Sequence, residues 1–459
     1  MTSNRPQPGS RARRLRRDLR LLTTDGACWA VMSGAAEWQF ALFALAIGLS
    51  EVMAGLVGTV PLFVAAIMQL ITPWGVRKIG SIRRWVWCCA LVQALAIIPL
   101  IIGALLGAMP WWAVYASVGL FNAAQFASAP PWQAWFTSLV PSSIRAPFVG
   151  LRNRFVQAGL AAGMLASLFL EYGAQQGWAL MAFVGVFGVA MVARLISTAC
   201  LAAQSDAEPG LVERLELPTL AVIRRHFSDR QTRQLLLYML AFFFAVFTVA
   251  PYLVPYMRIQ LGFDYWQVTT VLAVMLGVKA AVLPLVGRMA KKHGSFRVLW
   301  FGAIATVPLV TLWPLNDSFW YILTLQALAA LAWACWETAT FLLVFDIIPA
   351  ERRTPVLTIY QLAQASAFLL GSLLGGAVLE LVGVDRTGYI VLFVASGGMR
   401  FLALFILAGL EPSGLDLRHR TGRMLVRGVS LLPGAGLLGR SEGTIDRSGE
   451  EPFDRSDSE

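Results

Sequence analysis

The chain is poor in charge. Acidic and basic residues make up 14% of its 459 residues, against about 25% in a soluble domain. That excludes an ordinary water-facing surface. The chain is also poor in the side chains that build reactive or metal centres. Its three histidines, His226, His293 and His419, lie far apart in polar segments, so no zinc constellation forms and no metal site is expected. Its five cysteines, Cys28, Cys88, Cys89, Cys200 and Cys335, fall in or beside apolar runs without metal-ligand spacing and read as small core residues. A nucleophile elbow, a phosphate-binding glycine loop and paired catalytic carboxylates are all missing. An enzyme is therefore not expected, nor ATP-driven work within this chain. No small-residue cleavage site follows the first apolar run, which reads as a retained helix.

What is present is apolar. Hydrophobic residues make up 57% of the chain, with 40 glycines and 16 tryptophans. Those two suit close helix contacts and interfacial anchors. A bilayer core takes roughly 20 residues of helix. Twelve runs qualify: 27–49, 54–76, 86–107, 111–137, 150–172, 178–201, 235–257, 266–287, 296–315, 319–345, 356–382 and 388–410. Backbone in lipid must satisfy its own hydrogen bonds, so each run is expected to be helical. The expectation is an all-α membrane protein of twelve transmembrane helices in two pseudo-symmetric six-helix bundles.

Charge sets the orientation. Residues 1–26 hold seven arginines, and the loops on that same side, with the adjoining helix ends, hold four, three, five, four and two basic residues. The loops on the other side hold only Arg258 and Arg386. This is the positive-inside pattern, and it places both termini in the cytoplasm. The net charge of +11 thus points to the anionic cytoplasmic leaflet as partner and not to nucleic acid. The expected organisation is a basic segment 1–26, a six-helix bundle 27–201, a cytoplasmic loop 202–234, a second bundle 235–410 and a largely disordered tail 411–459. Within the loop, Leu220, Ile223 and Phe227 oppose Arg224, Arg225 and Arg230, the pattern of an interfacial helix; a plain hinge linker fits equally well.

An internal repeat relates the two bundles. The segment Arg77-Lys78-Ile79-Gly80-Ser81-Ile82-Arg83 matches Lys291-Lys292-His293-Gly294-Ser295-Phe296-Arg297 at an offset of 214 residues. Pro141-Ser-Ser-Ile-Arg145-Ala-Pro147 matches Pro349-Ala-Glu-Arg-Arg353-Thr-Pro355 at an offset of 208, and Arg194 aligns with Arg400 at 206. Colinear matches of this kind describe two parallel repeats.

With these segments the chain resembles the major facilitator superfamily over residues 25 to 410. Gly287, Gly294 and the basic pair Lys291-Lys292 fit that family's signature loop, as do Gly80 and Arg83 more loosely in the first half, with Arg297 at the matching second-half position. The family's loop aspartate is replaced by Arg77 and Lys291, so the acid that helps latch the halves has no counterpart. The antiporter and sugar-porter signatures are missing. Pro131-Trp132-Gln133-Ala134-Trp135 and Leu151-Arg152-Asn153-Arg154 resemble a sparsely characterised bacterial branch. The resemblance implies a transporter that works by alternating access, with a cavity lined by helices 1, 4, 7 and 10 and a proton or ion gradient in place of any cofactor. The substrate expected is a small organic molecule and the unit a monomer. A non-transporting sensor or assembly factor is the alternative.

Charges inside a bilayer cost at least about 2.5 kcal/mol at the helix centre, so those that occur are candidates. Glu37 lies mid-way along the first run and can serve as a cation site or proton carrier, or as a structural acid. Glu337 belongs to a face of the tenth run with Gln326, Trp333 and Thr340; it can bind substrate or proton, or pair with Arg400. Lys279, in the eighth run, aligns with Ala65 and so breaks the repeat; it can neutralise Glu37 or hold an anionic group. Arg194 and Arg400 are repeat-related and read as structural charges. Asn122, Gln125 and Gln133 share a face of the fourth run, where Pro130-Pro131 frees carbonyls. Thr248, Tyr252 and Tyr256 form a similar face of the seventh, beside Pro251 and Pro255. Asn153, Gln157, Tyr360, Gln361 and Gln364 carry a weaker signal of the same kind.

Overall fold

The structure is a computed structural model that describes residues 8–207, 230–348 and 350–410. The amphipathic reading of the central loop falls mainly on residues 208–229 and the tail on 411–459, both outside the described residues. Within them the chain folds into twelve helical segments. These are α1 (Pro8–Ala36, a 3-10 turn Glu37–Gln39, then Phe40–Ala46), α2 (Glu51–Ile79), α3 (Ile82–Leu106), α4 (Trp111–Leu139), α5 (Ser142–Met164 and Ala166–Gln175) and α6 (Ala179–Ala203). The second half repeats them as α7 (Arg230–Gln260), α8 (Tyr265–His293), α9 (Ser295–Leu315), α10 (Phe319–Ile347), α11 (Ala350–Val382) and α12 (Arg386–Ala408).

Ten of the twelve are long and apolar enough to cross a membrane by length and composition. The other two, α1 and α4, are interrupted by polar residues. Arginines fill the start of α1 and its apolar stretch breaks at Glu37, while α4 is diluted by Asn122, Gln125, Gln133 and two prolines. Nothing between Pro8 and Ala36 stops the first helix, so it begins well before the apolar run and takes up much of the basic segment.

The repeat seen in the sequence returns as packing. In the first half α1 packs on α5 and α6, α4 on α2 and α3, and α3 on α6. In the second half α7 packs on α11 and α12, α10 on α8 and α9, and α9 on α12. Small residues permit the closest crossings. Gly159 and Gly163 of α5 lie against the carbonyls of Ala27 and Val31 in α1, and Gly371 and Gly375 of α11 against those of Phe244 and Thr248 in α7. Any side chain there would push the helices apart. The signature loops turn on glycines with positive φ, Gly80 at 70° and Gly294 at 87°, a region that side chains with a Cβ rarely enter.

The halves meet at the end of the bundle away from the start of α1, here called the far end. One hydrophobic core there joins Val52, Ala54 and Val57 of α2 to Tyr252 and Tyr256 of α7 and Tyr389 of α12. Polar bonds cross the same boundary. Tyr389 donates to Glu51 Oε2 at 2.7 Å, Gln260 donates to Glu51 Oε1 at 3.0 Å, and the Tyr265 amide donates to Glu171 Oε2 at 3.0 Å. At the opposite, terminal end, the bonds made by Arg83, Asp18, Arg152 and Gln234 each stay within one half.

Candidate membrane-embedded site

Two groups of charge lie between these ends. The first forms where α1 breaks. Glu37 opens the 3-10 turn, and one helical turn earlier the Ser33 hydroxyl donates to its Oε2 at 2.6 Å. The Gln125 side chain of α4 comes within reach of Glu37, and Gln93 of α3 donates to Gln125 Oε1 at 2.7 Å. A polar thread thus runs α1–α4–α3 through an apolar bundle. All its members besides Glu37 are neutral. Hydroxyl and amide groups can donate to a carboxylate and accept from a carboxylic acid, so a proton can come and go at Glu37 without breaking an ion pair. Gln93 is fully buried with its Oε1 unpartnered, and Gln39, on the same 3-10 turn as Glu37, is fully buried with both amide atoms unpartnered.

The second group is in the other half. Lys279 of α8 donates to both oxygens of Glu337 on α10, at 2.8 and 2.9 Å. Their side chains keep 13% and 23% of their exposure, so the pair borders open space mid-bundle. Its direction follows from register. Leu276, one turn before Lys279, packs with Ala273 against a cluster of α1 and α5 residues that includes Trp38, the neighbour of Glu37. Lys279 therefore lies on the face of α8 turned toward the first half. It neutralises Glu337, and Arg400 instead donates to the Thr306 carbonyl of α9 at 3.1 Å.

The remaining predicted residues scatter around these groups. Gln326 donates to the Met275 sulfur at 3.4 Å, and Trp333 stands edge-on to Phe242 with centroids 5.8 Å apart. Asn122 is buried and turned onto its own helix, donating to the Val118 carbonyl at 2.9 Å. Gln133 is half-buried and engaged. Tyr252 and Tyr256 are drawn into the far-end seal. Tyr252 is fully buried, donates to the Ser372 carbonyl and lies against Gly55 and Gly376, while Tyr256 packs at a tilt on Tyr389 and edge-on to Phe393. The prolines of α4 do free a carbonyl, but not toward open space. Pro131 cannot donate to Ala127, and that oxygen accepts from Trp85 Nε1 at 2.9 Å and Thr72 Oγ1 at 3.3 Å. In the signature loops, Arg83 pairs with Asp206 at 2.7 Å and donates to the Gln204 carbonyl at 3.2 Å, tying the loop to the end of α6. Gly287 is buried in α8, and Arg297 is exposed in the first turn of α9.

The structure also brings together a group that sequence reasoning missed. Asp25 of α1 accepts from Ser197 of α6 at 2.7 Å, and Arg194 donates to the same hydroxyl at 2.7 Å. Arg152 of α5 lies across Gly26, donates to the Leu22 carbonyl at 3.1 Å and sits 4.9 Å from the Trp132 ring of α4. Asp25 is 4% exposed. Four helices of the first half are pinned here, near the terminal end. Asp25 escaped notice because it precedes the first apolar run; the unbroken helical pattern from Pro8 onward was the available signal.

Two six-helix repeats, crossed on matching glycines and holding charge at mid-depth, make a polytopic membrane protein of the transporter type. The sequence profile of the Major Facilitator Superfamily matches residues 22–313 and again 235–438, and the chain belongs to the Major Facilitator Superfamily. No curated protein is matched. Among solved structures, a bacterial homologue of the human lysosomal transporter Spinster, in an inward-facing and unoccupied conformation, is similar at TM-score 0.59 and 15% identity. That match covers 89% of this chain and 100% of the other. The nucleoside transporter NupG is similar at TM-score 0.63 and 9% identity over 86% and 98% of the two chains. A POT family transporter in complex with a thioalcohol-conjugated peptide follows at TM-score 0.62 and 13% identity over 85% and 96%. These likenesses establish the fold.

Proposed function

We propose that the protein is a proton-coupled secondary transporter that carries a small organic solute across the bacterial inner membrane by alternating access. The observation that carries this reading is Glu37, a mid-bundle carboxylate whose partners Ser33 and Gln125 are both neutral. Glu337, by contrast, is matched by Lys279. Proton exchange is therefore assigned to Glu37, and contact with a polar or charged part of the solute to the Lys279–Glu337 pair. The charge asymmetry of the loops supports cytoplasmic termini, and a far end that joins the halves supports a resting state closed to the outside. Each half buries its polar groups internally or against the other, which supports a monomer.

The test is uptake into proteoliposomes from pooled metabolites and drugs, with and without an inward proton gradient. The reading requires gradient-driven uptake that Glu37→Gln removes. Uptake indifferent to the gradient identifies a facilitator instead.

A second reading has one observation in its favour. Arg83 of the signature loop is bound to Asp206 of its own half, and the acid that latches the halves elsewhere in the family is absent. This suits a sensor or assembly factor that does not cycle. Folded protein that moves and binds nothing across the panel would favour it.

A further inference from the structure

Arg13, Arg16, Arg17 and Arg20 follow one another at the i, i+3, i+4 and i+7 positions of α1, and so stand on one face of the helix. All four are exposed. Together with Leu21 they line an open surface groove of about 400 Å³. The opposite face of α1 is occupied: Leu22 is 1% exposed and packs, with Leu19 beside it, on Phe136, Val140 and Phe148 at the α4–α5 turn. Asp18 is 4% exposed and accepts from the Ser205 amide at 3.3 Å, which fixes the rotation of α1 against the end of α6. The arginine face is thus presented by packing and not by chance. Of the four, Arg13 is already engaged, and Arg17 meets an acid loosely, at 3.4 Å from Asp18 Oδ1.

Height narrows the ligand. Apolar sequence begins at about residue 27, so Arg20, Arg17, Arg16 and Arg13 lie roughly 10, 15, 17 and 21 Å further along the axis at 1.5 Å per residue. The headgroups reach about 5–8 Å past the hydrocarbon core, so the face stands at the membrane surface with Arg20 nearest the headgroups. A guanidinium offers a planar fork that matches phosphate oxygens in pairs. Four forks spread along two turns exceed the needs of one phosphate and suit two.

We infer that the Arg13–Arg16–Arg17–Arg20 face of α1 is a binding site for an anionic phospholipid whose headgroup carries two phosphates. The inference rests on the chain spanning a bilayer and not on transport, so failure of the transport reading leaves it standing. Bound lipid would tie the start of α1, and through Asp18 the end of α6, to the membrane surface.

The experiment is lipid titration of the full chain in detergent, read by native mass spectrometry. Cardiolipin, phosphatidylglycerol and phosphatidylcholine supply two, one and no net negative phosphates. The expected order of affinity is the same. Each Arg→Gln change on the face should weaken cardiolipin binding by about fivefold, the effect of one basic residue near a charged surface. Arg14→Gln removes the same charge from a different face and should change affinity by at most about twofold. Retained size-exclusion behaviour of each variant shows that it is folded. Equal losses at Arg14 and on the face would overturn the site in favour of general attraction. Displacement by pyrophosphate, with no preference among the lipids, would overturn the lipid source. Selectivity that appears only after deletion of residues 442–459, which hold seven acids, would show that the chain's own tail fills the face.

Discussion

Replacing Lys279 alone should damage the protein more than replacing both members of its pair. Lys279→Met leaves Glu337 with no cation, although the carboxylate keeps only 23% of its side-chain exposure. Breaking a fully buried pair in this way costs about 3–5 kcal/mol. The residual exposure lets some water reach the acid, so a smaller cost, about 2–3 kcal/mol, applies here. In Lys279→Met/Glu337→Gln the stranded charge is gone, and the cost should fall below about 1 kcal/mol because both replacements fill similar volume. The double variant should thus cost less than the sum of the two single variants, the mark of coupled sites. Thermal unfolding of purified protein, followed by tryptophan fluorescence, gives the four corners of the cycle. The double variant should melt close to the parent and above Lys279→Met. A double variant that melts below Lys279→Met would refute the reasoning, because the pair would then be holding α8 to α10 by net attraction. Transport by the stable double variant separates the two roles: loss of uptake with stability intact places the pair at the solute.

Other expectations follow from single observations. Tyr389→Phe removes a hydrogen bond to the Glu51 carboxylate, worth about 1.5–3 kcal/mol; pulsed-EPR distances across the far end should shift at least about tenfold toward the separated state, and an unchanged distribution would count against a latch there. Asp25→Asn takes the acid from between Arg152 and Arg194 and should destabilise the first half by about 3 kcal/mol, visible as a lower melting temperature, whereas an unshifted melt would mean that the two arginines are solvated. Gly375→Val sets a side chain against the Thr248 carbonyl and Tyr252 and should prevent accumulation of folded protein. Gly150→Ala, with open space at its Cβ, should express and melt as the parent does.

The helices were legible because lipid leaves the backbone so few options. A run of roughly 20 apolar residues is already close to a structural statement. The repeat was legible through loops, where Gly80 and Gly294 hold conformations that fix the residue type. The polar groups were only half legible. Glu37, Lys279 and Glu337 stood out as charges in apolar runs, but their partners depend on which helices touch. Lys279 and Glu337 are 58 residues apart in the chain and meet because α8 packs on α10. Tyr252 and Tyr256 show the limit from the other side. An aromatic stripe with hydroxyls has the same pattern whether it lines a cavity or plugs one, and only burial tells the two apart. Asp25 was lost to a boundary drawn by hydropathy, since the helix starts nearly twenty residues before the apolar run.

The fate of the Ala127 carbonyl bears on how the molecule can move. A double proline ordinarily leaves a helix with a soft joint, and α4 has one in its second half. Here the loosened oxygen is held by an indole from α3 and a hydroxyl from α2, so bending α4 at that joint means tearing two neighbours away with it. The first half is thereby stiffened across three helices at the spot where its sequence looks weakest. In α7 no side-chain donor among the described residues reaches the carbonyls freed by Pro251 and Pro255, and the helix passes through a 3-10 turn at Ala250–Tyr252 and a widened turn at Tyr256–Gln260. The two proline joints therefore differ in compliance, the one in α4 clamped by its neighbours and the one in α7 left to bend.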